Sequence, residues 1–331
     1  MAKPTLCVVL REIGSDLSKS ILLESRECPV AGAGEVLLQV LAVGVNPSDV
    51  KATKGAFPYA APGNICGRDC CGRVVEGPPE LISKLVWSTA GKDRGLAGDG
   101  GLTQYTLLPV SACIDLPASI RPVQAGAMGV PLCTAAVIMS KVQIQKDEVL
   151  VCTGANGQVG RFVLGIAKWK GARTVAVVRR DIPVDYADHV IVNNVDASLI
   201  EKLRAVGPVN AVVDAVGVGT EHLIEALAHR GRMALLSSRA PESSFPLNIR
   251  NFYRKDLTLH SAETMQYNAT ESAQIVRDVL PAFELGALSP PTLHDEIFPL
   301  DRVREAYEVV DNGCANRVVV APNGLELLAS L

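Results

Sequence analysis

The stretch Glu148-Val149-Leu150-Val151-Cys152-Thr153-Gly154-Ala155-Asn156-Gly157-Gln158-Val159-Gly160 decides how the chain is read. A short apolar run reads as a buried strand, and glycines then turn the chain. Gln158–Lys170 follows with Val159, Val163, Ile166 and Ala167 at helical spacing. In such a turn Gly157 lets the backbone approach a pyrophosphate, and Gly160 lets the helix pack close to the strand. The helix N-terminus offers free N–H groups to phosphate oxygens. Ala155 stands at the first glycine position of the G-x-G-x-x-G fingerprint, so the flanking strand and helix carry the reading. The expected contacts are Asn156, Gly157, Gln158, Val159 and Gly160; the alternative is a tight βα turn with no ligand.

Outward from this turn, strand and helix signals alternate. Thr174–Val178, His189–Val192, Ala211–Asp214, Met233–Ser237 and Leu257–His260 read as strands, with helices expected at Ala197–Ala205, Thr220–Ala228 and Ile249–Arg254. Strands joined by crossover helices make a parallel, doubly wound sheet. Ligands of such sheets sit beyond the strand carboxyl ends, which singles out Asp214-Ala215-Val216-Gly217 and Leu235-Leu236-Ser237-Ser238. Val216, Gly217 and Ser237 are the expected contacts there; these segments could equally be ordinary βα turns.

The end of the second strand bears on the cofactor. A dinucleotide site for NAD places an acidic residue there, about 20 residues on, to hold the ribose hydroxyls. Here Arg179-Arg180 occupies that place. Two guanidinium groups favour a 2′-phosphate and offer a diol no acceptor, which predicts NADPH. A solvated basic pair is the alternative. Only Asp181–Asp188 separates this pair from the next strand, too short for a crossover helix.

Upstream, Leu6–Leu10, Val36–Val45, Gly72–Val75 and Leu102–Leu108 are apolar runs broken by Gly or Pro, and the region to residue 120 reads as strand-rich. Ser88–Gly101, with five glycines, reads as a loop. Two helices are expected next, from Pro122 or Val123 to Met128 and from Thr134 to Lys141, then one amphipathic helix over Thr270–Leu285. Strand, helix and strand close the chain at Asp295–Phe298, Leu300–Asp311 and Arg317–Val320.

Composition agrees with a globular chain of about two domains: 331 residues, 48% apolar and 20% charged. The net charge of −3 advertises neither nucleic acid nor an anionic membrane. The uncharged run between Arg121 and Lys141 carries Pro122, Gln124, Pro131, Thr134 and Ser140, which suits a buried helix better than a membrane span. Nine scattered cysteines, with no signal-peptide pattern, lead to the expectation of a reduced, cytoplasmic protein.

Six ordered signatures, covering about residues 5–322, resemble the medium-chain dehydrogenase/reductase superfamily, in particular its zinc-free quinone oxidoreductase and enoyl reductase branch. They are Gly44-Val-Asn46-Pro47-Ser48-Asp49-Val-Lys51; Pro62 through Gly67-Arg68-Asp69 to Gly77; Gly100-Gly101-Leu-Thr-Gln-Tyr105; the Gly154–Gly160 turn; Val213-Asp214-Ala-Val-Gly217; and Phe298-Pro-Leu through Arg317-Val-Val-Val. The resemblance implies an α/β protein: a GroES-like β-rich catalytic domain (1–121 and 289–331) around a central Rossmann domain with a doubly wound parallel sheet (122–288).

Asn46 matches a position where the superfamily's zinc-dependent members carry a ligand Cys, and Arg68 one where they carry a ligand His. No histidine precedes His189. No metal is therefore expected, and Cys66, Cys70 and Cys71 read as small packing residues. The Asn-Pro-Ser-Asp-x-Lys string is similar to enoyl reductases. That implies that Ser48 and Lys51 lie beside the nicotinamide ribose or its carboxamide, with Lys51 also able to stabilise an enolate. The alternative is a surface lysine and a serine at a helix start. Many relatives carry a donor tyrosine where this chain has Phe57. Tyr59 either replaces it or lines the cleft as an aromatic.

Thr134 matches the family's nicotinamide contact or caps a helix, and Asn316-Arg317 resembles the family's C-terminal segment that closes over the cofactor. The expected function is NADPH-dependent, zinc-independent reduction of quinones or of the C=C bond of α,β-unsaturated carbonyl compounds. A trans-acting enoyl reductase partnering a polyketide synthase and a non-catalytic NADPH-binding scaffold are the alternatives. A small-molecule substrate is expected, with no nucleic acid and no membrane. Relatives pair through the edge strand near Asp256–Ser261, where Leu257 and Leu259 permit a homodimer.

Overall fold

A computed structural model describes residues 4–238 and 243–329. In chain order its first seven strands are β1 (Pro4–Leu10), β2 (Ile21–Glu27), β3 (Glu35–Val45), β4 (Cys70–Glu76), β5 (Leu85–Ser88), β6 (Tyr105–Pro109) and β7 (Ile114–Asp115). Six more follow: β8 (Val149–Thr153), β9 (Arg173–Val178), β10 (His189–Val192), β11 (Val209–Asp214), β12 (Leu227–Leu235) and β13 (Thr258–Ser261). The last two are β14 (Leu293–Pro299) and β15 (Arg317–Ala321). The helices that matter below are α1 (Leu17–Ser20), α2 (Pro47–Thr53), α3 (Pro122–Val142), α4 (Gln158–Trp169), α5 (Ser198–Val206) and α6 (Thr220–Ala226).

The chain falls into two compact units. One comprises Met1–Cys133, Thr264–Leu280 and Ser289–Leu331; the other comprises Thr134–Glu263 and Pro281–Leu288. The first is strand-rich. Its larger sheet runs β14-β15-β3-β4-β5-β7, with β6 also paired to β3, and β1 and β2 form a separate antiparallel pair. The long strand β3 is mostly apolar, and most of its side chains are buried. It serves as the axis because both of its edges are paired and both faces are covered.

The second unit is a parallel sheet in the order β10-β9-β8-β11-β12-β13. This is the doubly wound order, with the reversal beside β8. Strand β8 is buried along its whole length, as a central parallel strand must be. Between Val178 and His189 there is no helix, as the shortness of the Asp181–Asp188 stretch required. Leu257 precedes β13 and is buried, so of the two leucines expected on the edge only Leu259 stays exposed there.

Two helical expectations are corrected. Pro122–Val142 is one helix of 21 residues rather than two, with Pro131 inside it. Proline has no N–H and crowds the carbonyl four residues back, so Ala127 O loses its helical donor. Arg317 Nε supplies the missing bond at 2.6 Å. Asp69 Oδ1 accepts from the Val130 N–H at 2.8 Å. The helix therefore runs on through the proline because side chains of its own unit satisfy the disturbed turn. The segment Thr270–Leu285 goes the other way: it is two helices, Ala269–Arg277 and Pro281–Glu284, and the second begins at a proline. Helix α3 is apolar and long enough to cross a membrane, but 83% of that stretch is buried within the fold, which is the behaviour of a core helix.

Close backbone approach sets α3 on β3. A Cβ at Gly126 would lie 2.5 Å from Ala42 O, and one at Gly44 would lie 2.7 Å from Ala127 Cα. Both obstacles are backbone, so neither can swing aside. Replacing Gly126 by Ala is expected to lower stability by about 1–3 kcal/mol. Thermal unfolding of the variant beside the parent checks this; an unchanged midpoint would mean that the helix can slide off the strand freely.

Candidate active site

The parallel-sheet unit carries a cleft of about 440 Å³ beyond the carboxyl ends of its central strands. Thr153, Gly154 and Asn156 line it from β8 and the following turn, Val177, Val178 and Arg179 from β9, and Val216 and Val218 from the turn after β11. Asn193, Asn194 and Val195, which follow β10, complete the wall. No carboxylate is among these lining residues.

Local chemistry explains the shape. Gly154 adopts a left-handed φ of +61°, which a Cβ would strain, and its carbonyl accepts from Gly157 N–H at 2.9 Å. A Cβ on Gly160 would stand 2.6 Å from Gly154 O, so only glycine lets α4 start this close to β8. The α4 N-cap is Gly157, which has no side chain to cap the first turn. The first turn of this twelve-residue helix thus receives no side-chain cap from its N-cap residue.

Asp214 ties the turns together. It is fully buried at the end of β11. Its Oδ1 accepts from Thr153 Oγ1 at 2.8 Å and from the N–H groups of Val216 and Gly217 at 3.0 Å, while Oδ2 accepts from Thr220 Oγ1 at 2.8 Å. Gly217 lies against the Ser237 backbone, where a Cβ could not fit. Val216, Gly217 and Ser237 are therefore held as one ridge beside the glycine turn. Of the basic pair, Arg179 lines the cleft and Arg180 does not, although both are exposed. Thr134 is buried within α3 rather than capping a helix start, because α3 begins twelve residues earlier.

The wall at Asn193–Val195 escaped the sequence reading. Its signal was there: it directly follows a strand of a sheet whose ligands gather at strand ends. Val195 has φ +61°, and Asn193 bonds back to Asp196 and Ser198, so this loop is held by its own polar side chains.

The strand-rich unit carries a second group of the expected residues. Asn46 caps α2, Pro47 takes its first position, and Asp49 Oδ2 accepts from Asn46 N–H at 2.9 Å. Ser48 is half-buried on the first turn and Lys51 is exposed one turn on. Four charged side chains are packed here with almost no exposure: Asp49, Arg68, Asp69 and Arg317. Arg68 Nε donates to Asp49 Oδ1 at 2.9 Å. Asn46 Nδ2 donates to Asp69 Oδ2 at 3.0 Å and to Asp49 Oδ2 at 3.1 Å, while Arg317 Nη2 donates to Asn46 Oδ1 at 2.7 Å. Thr89 Oγ1 donates to Asp69 Oδ1 at 2.7 Å. Two acids thus face two bases, as burial of charge demands. Burial pushes the Asp69 carboxyl up, with Arg317, Asn46 and Thr89 pulling the other way, and burial draws the Arg317 guanidinium down.

Tyr59 stacks on Phe57 with ring centres 5.8 Å apart, and Lys92 Nζ lies 5.8 Å from the Tyr59 ring. Asn316 is exposed next to the buried Arg317. Among the described residues no three His, Cys, Asp or Glu side chains gather as metal ligands would. The Cys66, Cys70 and Cys71 thiols are buried, and burial raises all three, Cys66 to about 12.

Residues 32–118 match the alcohol dehydrogenase GroES-like domain and residues 186–316 match the zinc-binding dehydrogenase domain. The chain belongs to the medium-chain dehydrogenase/reductase superfamily. It is an oxidoreductase of that superfamily. A zinc-type alcohol dehydrogenase-like protein of Schizosaccharomyces pombe is 26% identical over 311 residues, covering 91% of this chain and 92% of the relative. The quinone oxidoreductase of Sus scrofa is 24% identical over 298 residues, covering 85% and 86%. The structure of the quinone oxidoreductase from Thermus thermophilus superposes with a TM-score of 0.76 at 23% identity, covering 96% of this chain and all of that one.

Two measurements check the site's framework. Asp214→Ala leaves four donors without their acceptor and is expected to cost about 3 kcal/mol, read as an earlier thermal transition. Iodoacetamide at about pH 8 is expected to label Cys28 and Cys314, the half-buried thiols, and to spare the seven buried ones in the native protein. Peptide mapping reads this directly, and labelling of Cys66 or Cys71 would contradict their burial in the core.

Proposed function

We propose that this chain is a zinc-independent, NADPH-dependent reductase of quinones or of the C=C bond of α,β-unsaturated carbonyl compounds. The observation that carries this reading is the cleft wall: it presents Arg179 and no carboxylate. An adenosine ribose with two free hydroxyls would find no anionic acceptor there, whereas a 2′-phosphate would find a guanidinium. The residues fit the cofactor in two further respects. The start of α4 has no side-chain cap from Gly157 and suits a pyrophosphate, and Gly160 lets that helix start close against β8.

NADPH, when bound, supplies the hydride. The protein's part is to hold the cofactor and to meet the charge that builds on the substrate oxygen. In this reading Asn156, Gly157, Gln158, Val159 and Gly160 hold the pyrophosphate, while Arg179 holds the 2′-phosphate. Val216, Gly217 and Ser237 line the nicotinamide and its ribose, Thr134 contacts the nicotinamide, and Asn316 belongs to the segment that closes over the cofactor. Ser48 and Lys51 serve the nicotinamide end. Lys51 is exposed and, among the described residues, paired with no carboxylate, so its ammonium is free to meet an enolate. Tyr59 is the donor that stands in for the tyrosine replaced by Phe57, with the Lys92 cation near its ring.

Zinc independence is supported by Arg68. Its buried guanidinium stands where the zinc-dependent members place a ligand histidine, and a fixed cation repels a second one. The quinone oxidoreductase relative supports the substrate class. Nine free thiols support a reducing, cytoplasmic setting, and the exposed Leu259 on edge strand β13 supports pairing of two copies.

Absorbance at 340 nm tests the reading, with 1,4-benzoquinone, 9,10-phenanthrenequinone, a short 2-alkenal and a crotonyl thioester as acceptors. Turnover is expected with NADPH, to survive a chelator and to be weaker with NADH. Arg179→Glu is expected to erase the NADPH preference, a loss of about 10–100-fold. Activity that vanishes with the chelator, or an equal rate with NADH, would reject the proposal.

A further inference from the structure

Arg68 does more than fill a space. Its side chain is 1% exposed, and each end of the guanidinium has a partner. Nε donates to Asp49 Oδ1 at 2.9 Å, Nη1 lies 3.3 Å from Met265 Sδ, and Nη2 donates to Ser48 Oγ. Asp49 is itself fixed, since its other oxygen accepts from Asn46 N–H and Asn46 Nδ2. The fork cannot turn without breaking an ion pair that is buried on both sides.

A guanidinium donates and never accepts. In the Arg68–Ser48 bond the serine oxygen is therefore the acceptor, and its own hydrogen is left over. Among the described residues nothing accepts that hydrogen, and Ser48 is only half-buried. An ordinary serine switches between donating and accepting. Here one lone pair is taken by a fixed cation and the hydrogen is left to offer, and that cation draws electron density from the oxygen, which strengthens a bond it donates and weakens a second one it would accept.

We propose that Arg68 is a positioning residue that biases Ser48 to donate its hydrogen bond to an acceptor-only oxygen, the carbonyl of the nicotinamide carboxamide. The inference rests on the reading of the protein as a nicotinamide-dependent reductase with Ser48 at the nicotinamide end. It adds the direction of the Ser48 bond and the residue that sets it. A fixed guanidinium and a hydroxyl then do neutral, directional work at a position where a metal site of the superfamily would place a ligand.

Cofactor analogues give the test. The thionicotinamide analogue of NADPH carries C=S, a poor acceptor, in place of the carboxamide C=O, and the 3-acetylpyridine analogue keeps a C=O. Dissociation constants are measured by fluorescence titration of the intact chain. The parent is expected to bind NADPH and the acetylpyridine analogue alike and the thio analogue about tenfold more weakly. Ser48→Ala is expected to remove this discrimination. Arg68→Gln is expected to remove it too, because its amide oxygen lets the Ser48 hydrogen turn inward. Arg68→Lys keeps the charge opposite Asp49 but cannot fork to both partners, so it reduces the discrimination while guarding against a folding defect in Arg68→Gln. Binding of adenosine 2′,5′-bisphosphate, which lacks nicotinamide, is expected to be the same in all four proteins. Discrimination that persists in Ser48→Ala, or that disappears there but persists in both Arg68 variants, overturns the inference while leaving the function intact. A parent that binds neither NADPH nor the bisphosphate overturns the functional reading and this inference together.

Discussion

The strand-rich unit turns on a buried arrangement of two acids and two bases around the proline in α3. Pro131 strips Ala127 O of its helical donor, and Arg317 Nε restores it. The same guanidinium reaches Asn46, and Asn46 in turn bonds Asp69 and Asp49. Asp69 accepts from Val130 N–H and Thr89. One network therefore joins the first turn of α2, the middle of α3, the start of β15 and the segment leading into β4. Taking any one member away leaves a buried charge without its partner, which is the costly case, whereas the intact set is neutral and nearly saturated. The consequence of this arrangement is rigidity, and rigidity is what a side chain such as Ser48 needs if its hydrogen is to point one way.

The parallel-sheet unit solves a similar problem with one carboxylate. Asp214 collects donors from the ends of β8 and β11 and from the start of α6. The glycine turn then needs little help. Gly154 takes the left-handed conformation, and Gly160 allows close contact between α4 and β8. The donors around Asp214 are thus satisfied inside the fold.

Much of this was legible in the residues. The βα turn at Gly154–Gly160, the alternation after it and the missing crossover helix after Arg180 follow from local pattern, because a parallel strand must be apolar on both faces and a helix needs about three turns of chain. Where local rules misled, tertiary contacts had intervened. Pro131 reads as a break between helices, and only the side chains of Arg317 and Asp69 keep the helix whole. Leu257 reads as an edge residue like Leu259, yet it packs into the core. Asn193–Val195 reads as a featureless connector until the strand order puts it beside β9 and the cleft.

The amino-acid sequence by itself determined the class of fold, the glycine-rich turn after β8, the basic character of the second strand's end and the absence of a histidine before residue 189. Each is a property of neighbours in the chain, written in spacing and residue type. Only the tertiary structure decided which of the two arginines lines the cleft, that Asp214 anchors both turns, and that Arg68 reaches Ser48 and Asp49 while Arg317, far along the chain, completes the set. Those are pairings between distant residues buried from water. Nothing in local sequence encodes which partner a buried charge will find; the packing of strands and helices around it does.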